Sequence, residues 1–406
     1  MSAALSLRER VALFALRLVN RASRALKRGS GTVAGGRVGL RLAPSLLASL
    51  ARGRTIIAVS GTNGKTTTTA LCVAGWGGEV TTNATGANMP AGHAAALAAT
   101  SNDRVVLEVD EAWLADVVAA TRPAVAALLN LSRDQLDRAN EVRQLAERWR
   151  QCLGDPRNGD LVVVANANDP LVVYAALGAN HVRWCDVPTG WTLDARSCPR
   201  CTLALHHGEN SWSCSCGLAK PATTTSIDGD DLLVDAGRAE LALALPGQFN
   251  RANAAMAATA LAEVGVDLGE SLTRMGAVEG VEGRYTTRAW NGHHLHLLLA
   301  KNPAGFDALL STVSADESDV WVAINANVAD GRDPSWLYDV NFERLAGHRV
   351  WCFGERRLDL ATRLDYAGVN FVVADDPLRV PIASESVELL ANYTAFQEWL
   401  ARSVPC

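Results

Sequence analysis

The sequence predicts an α/β protein with a central nucleotide-binding domain, a cysteine-rich insertion within it and a smaller α/β domain behind it. Three observations predict this. Short β-branched runs alternate with helix-like segments, the pattern of a parallel sheet covered by helices. The stretch VSGTNGKTTTT at 59–69 sets glycines, a lysine and hydroxyls between such a run and a helix. Four cysteines fall in two tight pairs, CPRC at 198–201 and CSC at 214–216. A chain of 406 residues, 49% hydrophobic and 20% charged, has a globular composition and is too long for one ordinary core.

Residues 1–54 read as a basic helical segment. They hold eleven basic residues and one acid, Glu9, so they carry +10 and leave −15 to the remainder of a chain of net charge −5. That overall charge gives no nucleic-acid signal. Between residues 5 and 28, Leu7, Val11, Phe14, Leu18 and Ala22 recur at helical spacing, with arginines largely on the other faces. Two readings stand. The helix lies on an anionic membrane surface, or it packs on its own domain with its arginines solvated. GSGTVAGG at 29–36 reads as a turn-rich connection. No apolar run reaches bilayer length and no signal-peptide core is present, so the protein is expected in the cytoplasm. Nine cysteines there favour metal binding or burial over disulfides.

The central domain is expected over 55–283. TIIAVS (55–60) is a strand feeding the glycine loop, and TTTTALCVAGW continues as a helix. Further strands are expected at 104–110, 124–131 and 160–166. An insertion occupies about 185–221, and LALAL (241–245) reads as a strand before the helix of QFNRANAAMAA. GAVEGVEGR (276–284) is a candidate hinge. The smaller domain then runs over 284–406, with strands at HLHLLLA, VWVAIN, RVWCFG and VNFVVA.

Phosphate chemistry is legible in the loop. Gly61 and Gly64 permit tight curvature and close approach to oxygen, Lys65 can reach β- and γ-phosphates, and the Thr66 hydroxyl can ligate Mg²⁺. The nucleotide site is therefore expected over Gly61, Thr62, Asn63, Gly64, Lys65, Thr66 and Thr67. Cys198, Cys201, Cys214 and Cys216 can close a tetrahedral Zn²⁺ site with no open position, hence a structural one. The second pair is one residue short of the usual spacing, so Cys185 or His206–His207 remain possible substitutes.

The short loop G-T-x-G-K-T-T resembles that of the Mur ligase superfamily. Other stretches resemble its motifs in the same order: LEVDEA (107–112), LLNLSRDQLDR (128–138), NANDP (166–170), PGQFNRANAAMAA (246–258) and EGRY (282–285). The resemblance implies Glu108 as a Mg²⁺ partner, Asn250 and Asn253 facing the nucleotide, and Arg284 able to contact phosphate. Gln135 stands where many members carry histidine, and Lys301 of LLAKNPAGF does so again.

Those departures, with VADGRDPSWLYDVNFE (328–343) and ANYTAF (391–396), resemble the MurT branch, the synthetase subunits of lipid II isoglutaminyl synthase. This resemblance implies an ATP- and Mg²⁺-dependent ligase of cell-wall synthesis. It would convert D-glutamate of the lipid II stem peptide to D-isoglutamine through an acyl phosphate. Nothing in the chain resembles a glutaminase, so ammonia is expected from a separate GatD-type glutamine amidotransferase subunit. An aspartate of the last domain, Asp333 first and Asp330 second, is expected to orient that partner's histidine. The implied location is cytoplasmic, peripheral at the inner face of the cell membrane. The alternatives are a Mur-type amino-acid-adding or polyglutamyl ligase, and an ATP-binding scaffold without ligase chemistry.

Overall fold

A computed structural model describes residues 5–25, 32–83, 86–132, 139–188, 195–235, 237–281, 284–313 and 319–405. Gln135, the Glu282–Gly283 pair of EGRY and Cys406 lie outside the described residues. The chain forms two compact units. The first comprises Met1–Leu131, Asn140–Ala244 and Asn250–Val278, and the second Ser132–Ala139, Leu245–Phe249 and Glu279–Cys406.

In the first unit the helices are α1 (Leu7–Ala25), α2 (Thr32–Leu42), α3 (Leu46–Ala51), α4 (Lys65–Trp76), α5 (Pro90–Ala99), α6 (Leu114–Thr121), α7 (Ala139–Leu153), α8 (Pro170–Ala176), α9 (Gln248–Ala262) and α10 (Leu268–Gly276). Its strands are β1 (Thr55–Ser60), β2 (Thr81–Thr82), β3 (Arg104–Val109), β4 (Val125–Leu128), β5 (Val162–Asn166), β6 (His181–Asp186), β7 (His206–His207), β8 (Trp212–Ser213), β9 (Thr225–Asp228), β10 (Asp231–Val234) and β11 (Gly237–Glu240). Among the described residues, nine of these form one sheet in the order β11-β10-β9-β6-β5-β4-β1-β3-β2. It is parallel from β2 to β9 and antiparallel over β9-β10-β11.

The buried runs of β1, β3, β4 and β5 are apolar on both faces, as helices on both sides demand. One face packs Ile56, Ala58, Val105, Leu107, Val163 and their neighbours against α1, α3, α5, α6, α7 and α8. By strand alternation Ile57, Val59 and Glu108 point to the other face. The chain leaves β1 for β2 and β3 on one side, then crosses to β4 on the other. The carboxyl end of β1 is therefore a switch point of the sheet, where α/β folds place ligands.

Two local expectations fail here. Residues 32–36 are not a connection but the start of α2. A Cβ at Gly35 would meet the carbonyl of Leu16 at 2.4 Å, and one at Gly36 the carbonyl of Ala91 at 1.8 Å. The glycines let α2 press against α1 and α5, so close packing, not turning, explains them. LALAL forms no strand; the edge strand is Gly237–Glu240, paired antiparallel with β10.

The second unit holds β12 (Tyr285–Trp290), β13 (His293–Leu299), α11 (Pro303–Leu310), β14 (Asp319–Ala323), β15 (Arg349–Phe353), α12 (Arg357–Tyr366), β16 (Phe371–Val373), β17 (Ser386–Ala391), α13 (Tyr393–Arg402) and β18 (Val404–Pro405). Its sheet runs β16-β15-β14-β17-β13-β12-β18, parallel from β16 to β13. Phe306, Phe342 and Leu360 fill one face, and Phe396, Trp399 and Trp321 the other.

Candidate functional site

The phosphate-type loop leaves β1 at its carboxyl end and opens directly into α4. Gly61 and Gly64 both take positive φ, 149° and 86°. A Cβ on Gly61 would lie 3.0 Å from the backbone nitrogen and oxygen of Asn130, and one on Gly64 only 2.5 Å from Asn253 Oδ1. Glycine is required at both by conformation and by space. The second contact brings Asn253 of α9 against the loop, with Asn250 one turn earlier; both are buried.

The loop is braced from below. The Thr62 N–H donates to the Asn130 carbonyl at 2.9 Å. The Asn63 N–H donates to Asn130 Oδ1, and Asn130 Nδ2 returns a bond to the Asn63 carbonyl. The NANDP turn holds the next residues: Asn166 Nδ2 donates to the Leu129 carbonyl, and Asp169 accepts the Leu131 N–H while capping α8. Three strand ends thus converge to hold one loop.

Lys65 begins α4 and is buried. Its Nζ donates to the Gly61 carbonyl at 2.5 Å and to Glu111 Oε2 at 2.9 Å. Glu111 follows β3 in a short turn capped by Asp110, and its carbonyl accepts Trp149 Nε1–H from α7. Glu108, next to last in β3, is 5% exposed, with its carboxylate near Asn88 Nδ2. Its main chain is clamped: Asn83 Oδ1 accepts its N–H, while Asn83 Nδ2 and His93 Nε2 donate to its carbonyl. The His93 ring is driven down to about 4 by burial, so it is a neutral donor at neutral pH.

The expected nucleotide residues Gly61 to Thr67, Glu108 and Asn253 therefore gather around one helix N-terminus, where N–H groups and the helix dipole favour an anion. Arg284 immediately precedes β12 in the second unit. Two participants escaped the sequence reading. Glu111 is 46 positions from Lys65 and becomes its partner only through the β1–β3 pairing. Asn130 lay inside a recognised stretch without any signal that its amide would hold the loop.

The four cysteines meet as expected. The Sγ atoms of Cys198, Cys201, Cys214 and Cys216 all lie within 4.8 Å of one another, which fits a tetrahedral thiolate site around a metal with ~2.3 Å bonds. Directly after the C-S-C pair, Gly217 takes φ 86° and its N–H donates to the Cys214 carbonyl, turning the chain back. Cys185 is not recruited; its thiol lies 3.7 Å from Thr259 Oγ1, and His206 and His207 are exposed on β7. The Cys216 N–H stabilises the Cys214 thiolate and lowers its thiol to about 7. The ribbon is fastened beside the NANDP turn: Trp212 Nε1–H donates to the Ala167 carbonyl, and the Arg143 guanidinium of α7 to Pro199 and Cys198.

In the second unit Asp330 and Asp333 follow β14 and have opposite surroundings. Asp330 is 6% exposed and accepts the N–H groups of Asn327 and Thr394 as well as the Thr394 hydroxyl. It ties the VADGRDPSW loop to the ANYTAF segment that opens α13. Asp333 is exposed, and its Oδ1 accepts the Ser335 N–H at 2.9 Å, which holds its carboxyl below the usual range.

A Mur ligase middle-domain model matches residues 59–261, half of the chain, and a MurT ligase C-terminal model matches residues 299–396. The chain belongs to the Mur ligase family. Within it the chain is of the MurT type, and it is an ATP-dependent ligase. It is 28% identical over 393 residues to the lipid II isoglutaminyl synthase (glutamine-hydrolyzing) subunit MurT of Staphylococcus aureus (strain COL), covering 90% of this chain and 89% of that one. The subunit of the same name from Streptococcus pneumoniae (strain ATCC BAA-255 / R6) is 28% identical over 417 residues, with 91% and 92% covered. Among solved structures, a pseudomurein peptide ligase type C from Methanothermus fervidus superposes with a TM-score of 0.64 at 17% identity, over 86% of this Mur ligase and 79% of that chain. MurF from Acinetobacter baumannii gives 0.62 at 15%, over 90% and 80%. These two similarities establish the fold.

Proposed function

We propose that this chain amidates lipid II, converting the α-carboxylate of D-glutamate in the stem peptide to the carboxamide of D-isoglutamine, with ammonia released by a separate GatD-type glutaminase subunit. The observation that supports this reading is the similarity to MurT subunits over nine-tenths of the chain, spanning both units. The chemistry needs activation first. A carboxylate is anionic and would have to expel oxide, so ammonia does not displace its oxygen. A carboxylate oxygen instead attacks the γ-phosphorus of ATP, the bond to ADP breaks, and an acyl phosphate forms. Ammonia then attacks the acyl carbon, the carbon–oxygen bond to phosphate breaks, and nitrogen sheds a proton.

The residues divide this work. The amides at the α4 N-terminus hold phosphate oxygens while those of Thr62 and Asn63 stay on Asn130, and Lys65 leaves Glu111 for the β- and γ-phosphates, neutralising charge as the phosphoryl group moves. Thr66 and Glu108 would hold Mg²⁺, which supplies further neutralisation of that charge when bound. The cysteine quartet would hold Zn²⁺ structurally. Asp333, the exposed member of its pair, would fix the imidazole of the glutaminase. A lipid-linked substrate puts the reaction at the inner face of the cell membrane.

The test is incubation of the purified chain with lipid II, ATP and ammonium chloride, followed by mass analysis of the lipid. Carboxamide formation lost in Lys65→Ala is the expected result. Incorporation of an amino acid instead of ammonia would overturn the reading in favour of a peptide ligase. ATP binding with no turnover, even with the glutaminase added, would leave a scaffold.

A further inference from the structure

We infer that the outward face of α1 is a docking surface for an anionic lipid bilayer. The helix carries two apolar faces, and the structure uses only one. Ala12 and Leu16 are buried, in the same core as Leu46 and Leu97. Leu7, Val11, Phe14 and Leu18 stand on the opposite side, 79%, 55%, 68% and 56% exposed. The helix cannot roll to hide them. Glu9, on the inner face, accepts hydrogen bonds from the Ser6, Ser45 and Ser49 hydroxyls, which hold its carboxyl at about 2. The Arg17 guanidinium donates to the Ala98 carbonyl. Rolling the stripe inward would break both anchors.

The charge around the stripe selects the occupant. Arg10, Arg17, Arg21 and Arg24 are spaced by seven, four and three residues, so they run along one edge of the stripe, and all are exposed. Glu9 is the one acid among the first 54 residues, and it is buried. Among the described residues, the exposed surface of this segment therefore holds apolar side chains and guanidinium groups with no carboxylate. That combination suits an interfacial helix lying in the plane of a negatively charged headgroup layer: aliphatic and aromatic side chains dip into the acyl boundary while arginines meet phosphate. A protein partner would equally cover the apolar stripe, but the unrelieved positive edge favours lipid. The inference does not rest on the proposed substrate, since any anionic bilayer supplies the same chemistry.

The test uses the full chain and vesicles free of lipid II, so its failure is separable from failure of the amidation reading. Deleting α1 would strip Leu16 and Glu9 from the interior, so outward positions are substituted instead. The wild type should sediment with vesicles of phosphatidylcholine and phosphatidylglycerol, and far less with phosphatidylcholine alone. Phe14→Gln with Leu18→Gln should weaken partitioning on the order of a hundredfold. Arg21→Glu with Arg24→Glu should weaken it by about thirtyfold or more, as should added salt. Unchanged thermal unfolding checks that the variants fold, and Leu7→Gln in the first turn is the milder substitute if either does not. Absence of wild-type binding to anionic vesicles overturns the inference, as does equal binding by the glutamine variant. Loss of a co-purifying subunit without any vesicle binding also overturns it and assigns the stripe to protein.

Discussion

The loops that follow β1 and β14 leave central parallel strands of two different sheets, yet they are built from different materials. After β1, in the function proposed above, the working atoms are main-chain N–H groups of the α4 N-terminus, and the glycines, Asn130 and Asn253 shape the loop that leads into it. After β14, in the function proposed above, the working atom is a side-chain carboxylate. Asp330 pins the loop to α13, and Asp333 three residues on stands exposed. In the proposed function the difference follows from the ligand. Phosphate is large and carries several oxygens, so it is best met by many converging donors and a helix dipole. One histidine of another protein needs one acceptor on a rigid, accessible support.

The largest effect should come from the first loop. Lys65→Ala should lower ATP-dependent amidation on the order of 10⁴-fold with either ammonia or glutamine as nitrogen source. A loss of less than tenfold would mean that main-chain donors do not depend on the lysine.

Next, Asp333→Asn should reduce glutamine-dependent turnover on the order of 10³-fold and leave ammonia-dependent turnover near wild type. Asp330→Asn should instead loosen the loop, seen as faster hydrogen exchange at Asn327 and Thr394. If Asp330→Asn spares exchange and carries the glutamine-specific defect, the assignment of the two acids is reversed.

The units should also answer pH in opposite directions. His93 titrates at about 4 when folded and near 6.5 when unfolded, so the unfolded chain holds the extra proton. The first unit should therefore lose ~3 kcal/mol as pH falls from 6.5 through about 4. Hydrogen exchange of β1 and β3 peptides should show that slope, and His93→Gln, which keeps an N–H donor for the Glu108 carbonyl, should flatten it.

The smallest effect belongs to His296, whose Nδ1 lies 2.6 Å from Glu388 and whose pKa is raised by that bond. A raised folded value means stability present below 6.5 and lost as pH rises through it. The contribution should be under about 1 kcal/mol because the pair is partly solvated. Exchange of β13 and β17 peptides across that range, against His296→Gln, measures it.

Much of the site was legible because phosphate loops and cysteine knuckles are local devices. Gly61, Gly64, Lys65 and the four cysteines act within a few residues of one another or through a short ribbon, so spacing alone exposes them. Glu111 was not legible, since its role exists only across a strand pair. The glycines of α2 were misread for a related reason: a glycine that turns the chain and a glycine that admits another helix look the same in a string.

From its sequence alone, then, this chain determined its parallel α/β architecture, its phosphate loop, its metal-type quartet and the family to which it belongs, because each is encoded in periodicity or short spacing. Tertiary structure decided three other matters. It paired Lys65 with Glu111, it buried Asp330 while leaving Asp333 outside, and it turned α1 so that Leu16 faces the core and Phe14 faces water. Periodicity states that a helix has a face. Which face is buried depends on what the remainder of the chain brings against it, and here the core around Leu46 and Leu97 takes Leu16 while three serines hold Glu9.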